Sequence, residues 1–150
     1  MGALARKDVA ICVRESLLHN LIAGLRVMDL GFYLPMIDPV QPDDLRRAVL
    51  GFLREWWSPM LNDPARLRSG EYQAYAVLTM CRALYTLQRS EVVSKPAAAR
   101  WAQETLGERW AALIAWALAW HHDAASDKLN ETLDLIRYTS ECSQPIEAGD

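Results

Sequence analysis

The sequence predicts an all-α protein, a single-domain bundle of five or six helices, and three observations support this. Apolar residues recur at helical spacing along nearly all of the 150 residues. The regular alternation of strand and helix that a nucleotide-binding α/β core requires is missing from the sequence. Hydrophobic residues make up 51% of the chain and charged residues 23%, which is an ordinary balance for a globular domain with a sizeable core.

The first half of the chain predicts two helices joined by a proline-broken connector. Residues 7–28 carry an apolar stripe with a period of four, and the connector covers residues 30–42. The second helix is predicted to begin at Pro42, because a proline followed by two acids suits a first helical turn. It is predicted to continue through Trp57. Its apolar face consists of Leu45, Val49, Phe52, Leu53 and Trp56.

The second half predicts four more helices. After a loop with one short turn following Asp63 and Pro64, residues 71–88 form the most apolar stretch and hence the predicted central helix. Ser94 opens a helix that is expected to end near Gly107, the next covers residues 108–122, and the last begins around Ser126. The helical domain would then span residues 1–142, with residues 143–150 as a frayed acidic tail.

Composition excludes several classes of protein. The net charge of −3 gives no general attraction for nucleic acid or an anionic membrane. No apolar run reaches the roughly 18–20 residues of a membrane span, and the first residues lack the pattern of a signal peptide. The three cysteines are far apart and form no C-x-x-C motif, which favours a reducing compartment. We therefore expect a cytoplasmic protein without a nucleic-acid or membrane partner.

A lysine, Lys95, stands where a helix is predicted to begin, and this is unusual. Ser94 is a good N-cap and Pro96 is tolerated in a first turn. The free N–H groups of a first turn already carry partial positive charge, so an acid is the favourable residue there. The lysine is either a solvated side chain whose stem swings clear or part of an anion site, with phosphate as the natural ligand.

Two other patterns carry weaker chemical signals. His121 and His122 are adjacent, and neighbours on a helix point about 100° apart, so they are poorly spaced for binding one metal ion. We expect no metal site. Arg14 and His19 match the sparse R-x-x-x-x-H pattern of small helical ribonucleases resembling the HEPN family, but they lie in the first helix instead of a late one.

Six tryptophans are many for a chain of this length. Trp56 and Trp57 are adjacent and cannot both face one core, so one of them is expected to line a groove or a partner surface. Trp116 and Trp120 form a second stripe on the helix 108–122. If this stripe is exposed, it would mark a homodimer face.

Residues 74–114 resemble a known family segment. The pieces "VLTMCRALYTL", "EVVSK", "AARWA" and "ERWAALI" occur in order and at compatible spacing. They are similar to the C-terminal helical domain of the streptomycin/spectinomycin adenylyltransferases, which modify the 3″ or 9 hydroxyl of an aminoglycoside. In that family the helical domain closes over a catalytic domain, and drug and ATP lie between them.

The resemblance implies roles for several residues. The lysine of the family's "SK" or "PK" motif reaches the nucleotide phosphates, and its counterpart here is Lys95, preceded by Ser94. Trp120 is the rough counterpart of an aromatic residue near the nucleotide. Acidic and aromatic residues before the central helix meet the cationic drug in the family. The corresponding candidates are Glu71, Trp56 and Trp57.

The catalytic motifs of the family are missing. The chain has no Gly-Ser dipeptide, and none of its ten aspartates lies two residues from another, so it has no D-x-D pair to hold magnesium. We therefore expect a stand-alone or excised binding domain with no catalytic residues of its own. It would bind an aminoglycoside-like cation and nucleotide phosphates, with ATP and Mg²⁺ engaged only beside a separate nucleotidyltransferase domain or subunit. The alternatives are a ligand-free oligomerisation scaffold and, more remotely, the HEPN-like ribonuclease.

Overall fold

The computed structural model describes residues 41–122 and 126–147. Within these ranges 82% of the residues are helical and none is in a strand, which confirms the all-α, single-domain class. The predicted helix at 7–28, Arg14, His19 and nearly all of the connector at 30–42 lie outside the described residues. Five α-helices form the described bundle: α1 (Pro42–Phe52), α2 (Gly70–Arg89), α3 (Lys95–Thr105), α4 (Glu108–Ala119) and α5 (Leu129–Glu147).

Helix α1 begins at Pro42, as its proline and acids predicted. The Asp44 carboxylate accepts a hydrogen bond of 3.2 Å from the Gln41 backbone N–H and so satisfies a donor at the helix start. α1 is followed by a π-helical turn over Leu53–Trp57 and a 3₁₀ turn over Ser58–Leu61. A second 3₁₀ turn, Ala65–Arg68, is the short turn expected after Asp63 and Pro64.

The π turn corrects the predicted face of this helix. It adds one residue to the turn, and the Ser58 N–H bonds to the Leu53 carbonyl five residues earlier. The position that packs against the core therefore moves from Trp56 to Trp57. Trp57 is fully buried, whereas Trp56 is 39% exposed. The expectation that only one of the pair faces the core is confirmed, but the wrong tryptophan was placed on the apolar face.

Helix α2 is the central helix, as predicted, and it contacts each of the other four α-helices. Ser69 caps its start by accepting a hydrogen bond from the Tyr72 N–H. Ser90 ends it in the left-handed conformation, with φ at 58°, where a residue with a Cβ is disfavoured relative to glycine. Its long buried face includes Ala76, Met80, Ala83 and Leu87, and Tyr72 near its start is partly buried.

The remaining helices begin close to their predicted starts but differ at their ends. α4 ends at Ala119, three residues before the predicted end, and Trp120 leaves the helix in an extended conformation. α5 continues to Glu147, beyond Cys142, so the predicted tail is helical up to that point. No helix among the described residues is long and apolar enough to cross a membrane.

A buried glutamine fixes α5 against the start of α2. The Gln73 side-chain N–H₂ donates to the Leu67 carbonyl and to the Asp127 carboxylate, both at 2.8 Å. Its carbonyl oxygen accepts from the Lys128 backbone N–H at 2.9 Å. The amide is fully used within the protein, so its burial is compensated. The largest fully buried apolar side chains of the described core are Leu53, Trp57, Leu67, Met80, Ile114, Leu135 and Ile136.

Candidate functional site

Lys95 is the first residue of α3, and this helix start lacks the usual negative charge. The Ser94 side-chain oxygen accepts a 3.3 Å hydrogen bond from the Ala97 N–H, as its predicted role as N-cap requires. The first turns of α1, α2, α4 and α5 each contain an acid, but that of α3 contains none. The partial positive charge of the α3 start is therefore left without a carboxylate in its own first turn.

The Lys95 ammonium lies over an aromatic ring. Its Nζ is 4.1 Å from the centroid of the Tyr75 ring on α2, which is a cation–π distance. None of the ion pairs among the described residues includes Lys95. Burial, and secondarily the positive charge of Arg82, lower the pKa of Lys95 to about 8. Both causes disfavour the charged form, and a bound anion would favour it.

Arg82 brings a second positive charge close to this site. It lies two turns after Tyr75 on α2 and is only 8% exposed. Burial lowers the pKa of its guanidinium, although arginine keeps its charge at any physiological pH. Sequence reasoning missed both Arg82 and Tyr75. A charged residue inside the most apolar helix was the available signal for Arg82.

The Tyr75 ring belongs to an aromatic cluster, which we define as Phe52, Trp57, Tyr72 and Tyr75. The Tyr72 and Tyr75 centroids are 5.4 Å apart, and each is 6.0 Å from the Trp57 centroid. Phe52 packs edge-on against Trp57 at 5.9 Å. Trp57, which the resemblance placed among the substrate candidates, is thus the fully buried base of this cluster.

Trp56 forms an exposed continuation of the cluster. Its indole N–H donates a 3.3 Å hydrogen bond to the Tyr72 hydroxyl. The guanidinium of Arg66 lies 4.5 Å from the centre of the Trp56 ring, so one face of the indole already carries a cation. Glu71, the predicted acidic partner of a drug, is exposed in the first turn of α2. Both side chains are accessible, as a substrate-binding role would require.

Trp120 lies at the start of α2. A Cβ added at Gly70 would come within 2.9 Å of its indole nitrogen, so the ring packs directly on the glycine backbone. The Trp120 ring also makes a T-shaped contact with the His122 ring, with centroids 5.2 Å apart. Trp116 is also partly buried, and its N–H donates a 2.6 Å hydrogen bond to the Ser126 hydroxyl. Neither ring forms the exposed stripe on which the predicted homodimer face rested, and the dimer itself stays a prediction.

The remaining chemical candidates are the histidines and the cysteines. The described residues include no group of three or more His, Cys, Asp or Glu side chains that could hold a metal ion, and His121 and His122 are exposed. Burial raises the pKa of the Cys81 thiol to about 12, so this cysteine is an inert core residue. Cys142 is an exposed free thiol.

The family match covers this whole arrangement. The model described as the aminoglycoside adenylyltransferase C-terminal domain matches residues 35–143. The chain belongs to this family. The match confirms the resemblance seen in residues 74–114 and extends it to α1 and α5, so the aromatic cluster, Lys95 and Trp120 all lie within the family domain. No significant match was found among curated proteins or among solved structures.

Proposed function

We propose that this domain binds the phosphate groups of a nucleotide at the start of α3, as the helical part of an aminoglycoside adenylyltransferase. The observation that supports the proposal best is Lys95. Its ammonium is partly buried at a helix start that carries no acid, and it lies over Tyr75 without a carboxylate partner among the described residues. Such a charge lacks the compensation that a structural lysine normally has.

The chemistry of the site suits a multiply charged phosphate. The first N–H groups of α3 supply hydrogen-bond donors and partial positive charge. Lys95 adds a point charge, and Arg82 raises the local positive potential from α2. The two cations disfavour each other when no ligand is present. An anion with two or more negative charges would relieve this repulsion and pair with the Lys95 ammonium.

We further propose that a cationic small molecule of the aminoglycoside type binds near Trp56 and Glu71. The carboxylate of Glu71 would attract an ammonium or guanidinium group, and the open part of the Trp56 ring would pack against a sugar. Arg66 competes for the same ring face. A bound cation would therefore have to displace this guanidinium or use the opposite face of the indole. Trp120 at the start of α2 is the proposed neighbour of the nucleotide.

Transfer of the adenylyl group needs metal-binding acids that this sequence does not contain. The family that this chain resembles holds Mg²⁺ on the triphosphate with two aspartates spaced as D-x-D, and no two aspartates here have that spacing. We propose that a separate nucleotidyltransferase domain or subunit supplies them. On this account the chain binds and positions ligands, and it does not catalyse the reaction alone.

A direct test is calorimetric titration of the full chain with ATP and with inorganic tripolyphosphate at pH 7. We expect Lys95→Ala to weaken binding of both ligands by at least about tenfold, because a charge-assisted contact is lost. The matched control is Lys128→Ala. Lys128 lies directly before the start of α5, much as Lys95 lies at the start of α3, but its ammonium is 3.4 Å from the Glu131 carboxylate. Equal weakening by both variants, or no binding to the unaltered chain at millimolar ligand, would refute the proposal.

A further inference from the structure

No ion pair among the described residues includes Lys95, so a different contact has to hold its ammonium in place. A lysine side chain has four rotatable bonds and loses considerable entropy when it is held in one place. The nearby charge of Arg82 also repels the ammonium. Without an attractive contact the side chain would extend into water. The contact that the structure provides is the face of the Tyr75 ring, 4.1 Å from Nζ.

The Tyr75 ring is itself well fixed. It packs against Tyr72 at 5.4 Å and Trp57 at 6.0 Å. Trp57 is fully buried because the π turn after α1 directs it into the core. A rigid ring loses little further entropy when a cation settles on it, so it can serve as a preformed support.

We propose that Tyr75 is a positioning residue for Lys95, and that its ring face holds the ammonium at the start of α3 before an anion binds. The inference rests on the proposed function in one respect, namely that the anion is a nucleotide phosphate group. The ring face carries the negative part of the aromatic quadrupole, so the contact depends on the ring and not on the hydroxyl. A phenylalanine at position 75 should therefore still hold the Lys95 ammonium, and a leucine should not.

Preorganisation of this kind raises affinity because the ordering of the lysine precedes binding. Immobilising a flexible side chain on binding weakens an interaction by roughly two- to tenfold. We therefore expect Tyr75→Leu to lower tripolyphosphate affinity by roughly two- to tenfold. The same variant should lower the pKa of Lys95 further, because the ring no longer stabilises the charged form. Tyr75→Phe should leave both quantities unchanged.

The first test leaves Tyr75 unaltered. The chain has three lysines, so the ε-CH₂ resonances of Lys95 can be resolved by NMR and assigned with Lys95→Arg. Protons above a ring face shift upfield, and we expect the Lys95 ε-protons upfield of those of Lys128. Lys95 ε-protons at the ordinary lysine position would show that the ammonium does not rest on the ring and would overturn the proposal.

The second test compares Tyr75→Leu and Tyr75→Phe, with Tyr85→Leu as the matched control. Tyr85 is on the same helix and packs against Trp101 of α3 with centroids 5.2 Å apart. It lies ten residues from Tyr75, about 15 Å along the helix. For each chain the pKa of Lys95 is measured by NMR without ligand, and tripolyphosphate affinity is measured by calorimetry.

The expected result is a lower Lys95 pKa and weaker binding in Tyr75→Leu alone. Equal losses in Tyr75→Phe or in Tyr85→Leu would overturn the proposal, since the hydroxyl or general packing would then be responsible. Normal binding with an unchanged pKa in Tyr75→Leu would overturn it and leave the proposed function standing. Absence of binding in the unaltered chain would defeat the proposed function, while the ligand-free pKa values would still decide the role of Tyr75.

Discussion

Two helices in this bundle begin beside a lysine, and the groups that contact the two lysine side chains differ. At the start of α5, the Lys128 ammonium lies 3.4 Å from Glu131. The Asp127 carboxylate accepts a 3.0 Å hydrogen bond from the Leu129 N–H. At the start of α3, the Lys95 ammonium lies over the Tyr75 ring, no carboxylate among the described residues pairs with it, and the first turn contains no acid.

The start of α5 is neutralised by carboxylates, which favours stability, whereas the start of α3 stays positive. The arrangement at α5 follows the usual rule that acids offset the partial charge of a first turn. The arrangement at α3 breaks this rule twice, first by omitting the acid and then by adding a cation that is partly buried. A protein retains a locally unfavourable feature of this kind where another requirement outweighs it. The comparison therefore marks α3 as the start at which a ligand is expected.

The largest predicted effect concerns the support below Lys95. Trp57→Ala should lower the free energy of unfolding by about 3–5 kcal/mol, because it leaves a large cavity in the core and removes the base of the aromatic cluster. Trp56→Ala should cost about 1 kcal/mol or less, since that ring is 39% exposed. Urea denaturation of the two variants measures both values. Similar costs would mean that the π turn does not distinguish the two tryptophans.

Trp56 and Trp57 also show which features of the fold can be predicted from the sequence. The 3.6-residue period identified the helices, and proline, acids and serine located the starts of α1 and α3, because these signals are local. The extra residue of the π turn has no such local signal, so the periodic pattern placed Trp56 on the apolar face instead of Trp57. One inserted residue rotates every later position by about 100°.

The site was predictable only in part, for a related reason. Lys95 could be predicted as a site residue because a lysine next to the N-cap Ser94 conflicts with the helix dipole, and this conflict is visible in the local sequence. Tyr75 and Arg82 meet Lys95 from another helix, and that meeting depends on how α2 and α3 pack, which no spacing along the chain reveals. Trp120, which directly follows the early end of α4, likewise packs on Gly70, a contact across the fold that the local sequence does not reveal.

A smaller effect should follow from giving α3 the acid that α5 already has. Ala97 is the third residue of α3, so Ala97→Glu would create the Ser-x-x-Glu capping box with Ser94. We expect the free energy of unfolding to rise by about 0.5–1 kcal/mol and tripolyphosphate affinity to fall about tenfold, because the new carboxylate competes for the same charges.

The matched control for this change is Ala97→Gln, which keeps the capping hydrogen bond but adds no charge. It should raise stability by a similar amount and should reduce tripolyphosphate affinity much less. Denaturation and calorimetry on the same preparations test both expectations. If Ala97→Glu gains stability without losing affinity, the anion does not bind at the start of α3.

The smallest effect is the pH dependence of stability. The folded pKa of Lys95, about 8, lies below the ordinary lysine value of 10.5, so the unfolded chain binds more protons between these values. Stability contributed at this position therefore rises with pH from about 8 toward 10. The effect should be well below that of Trp57→Ala, because the ammonium is partly exposed to water.

The measurement is the difference in free energy of unfolding between the unaltered chain and Lys95→Met across this pH range. Burial raises the pKa values of Cys81 and Tyr75, and their ionisation lowers the stability of both chains alike at high pH, so the difference reports mainly on Lys95. The difference should move in favour of the lysine as the pH rises. Added tripolyphosphate should weaken this trend, since an anion raises the pKa of Lys95. A difference independent of pH would mean that the folded protein does not disfavour the charge of Lys95, and the contrast between the two helix starts would disappear.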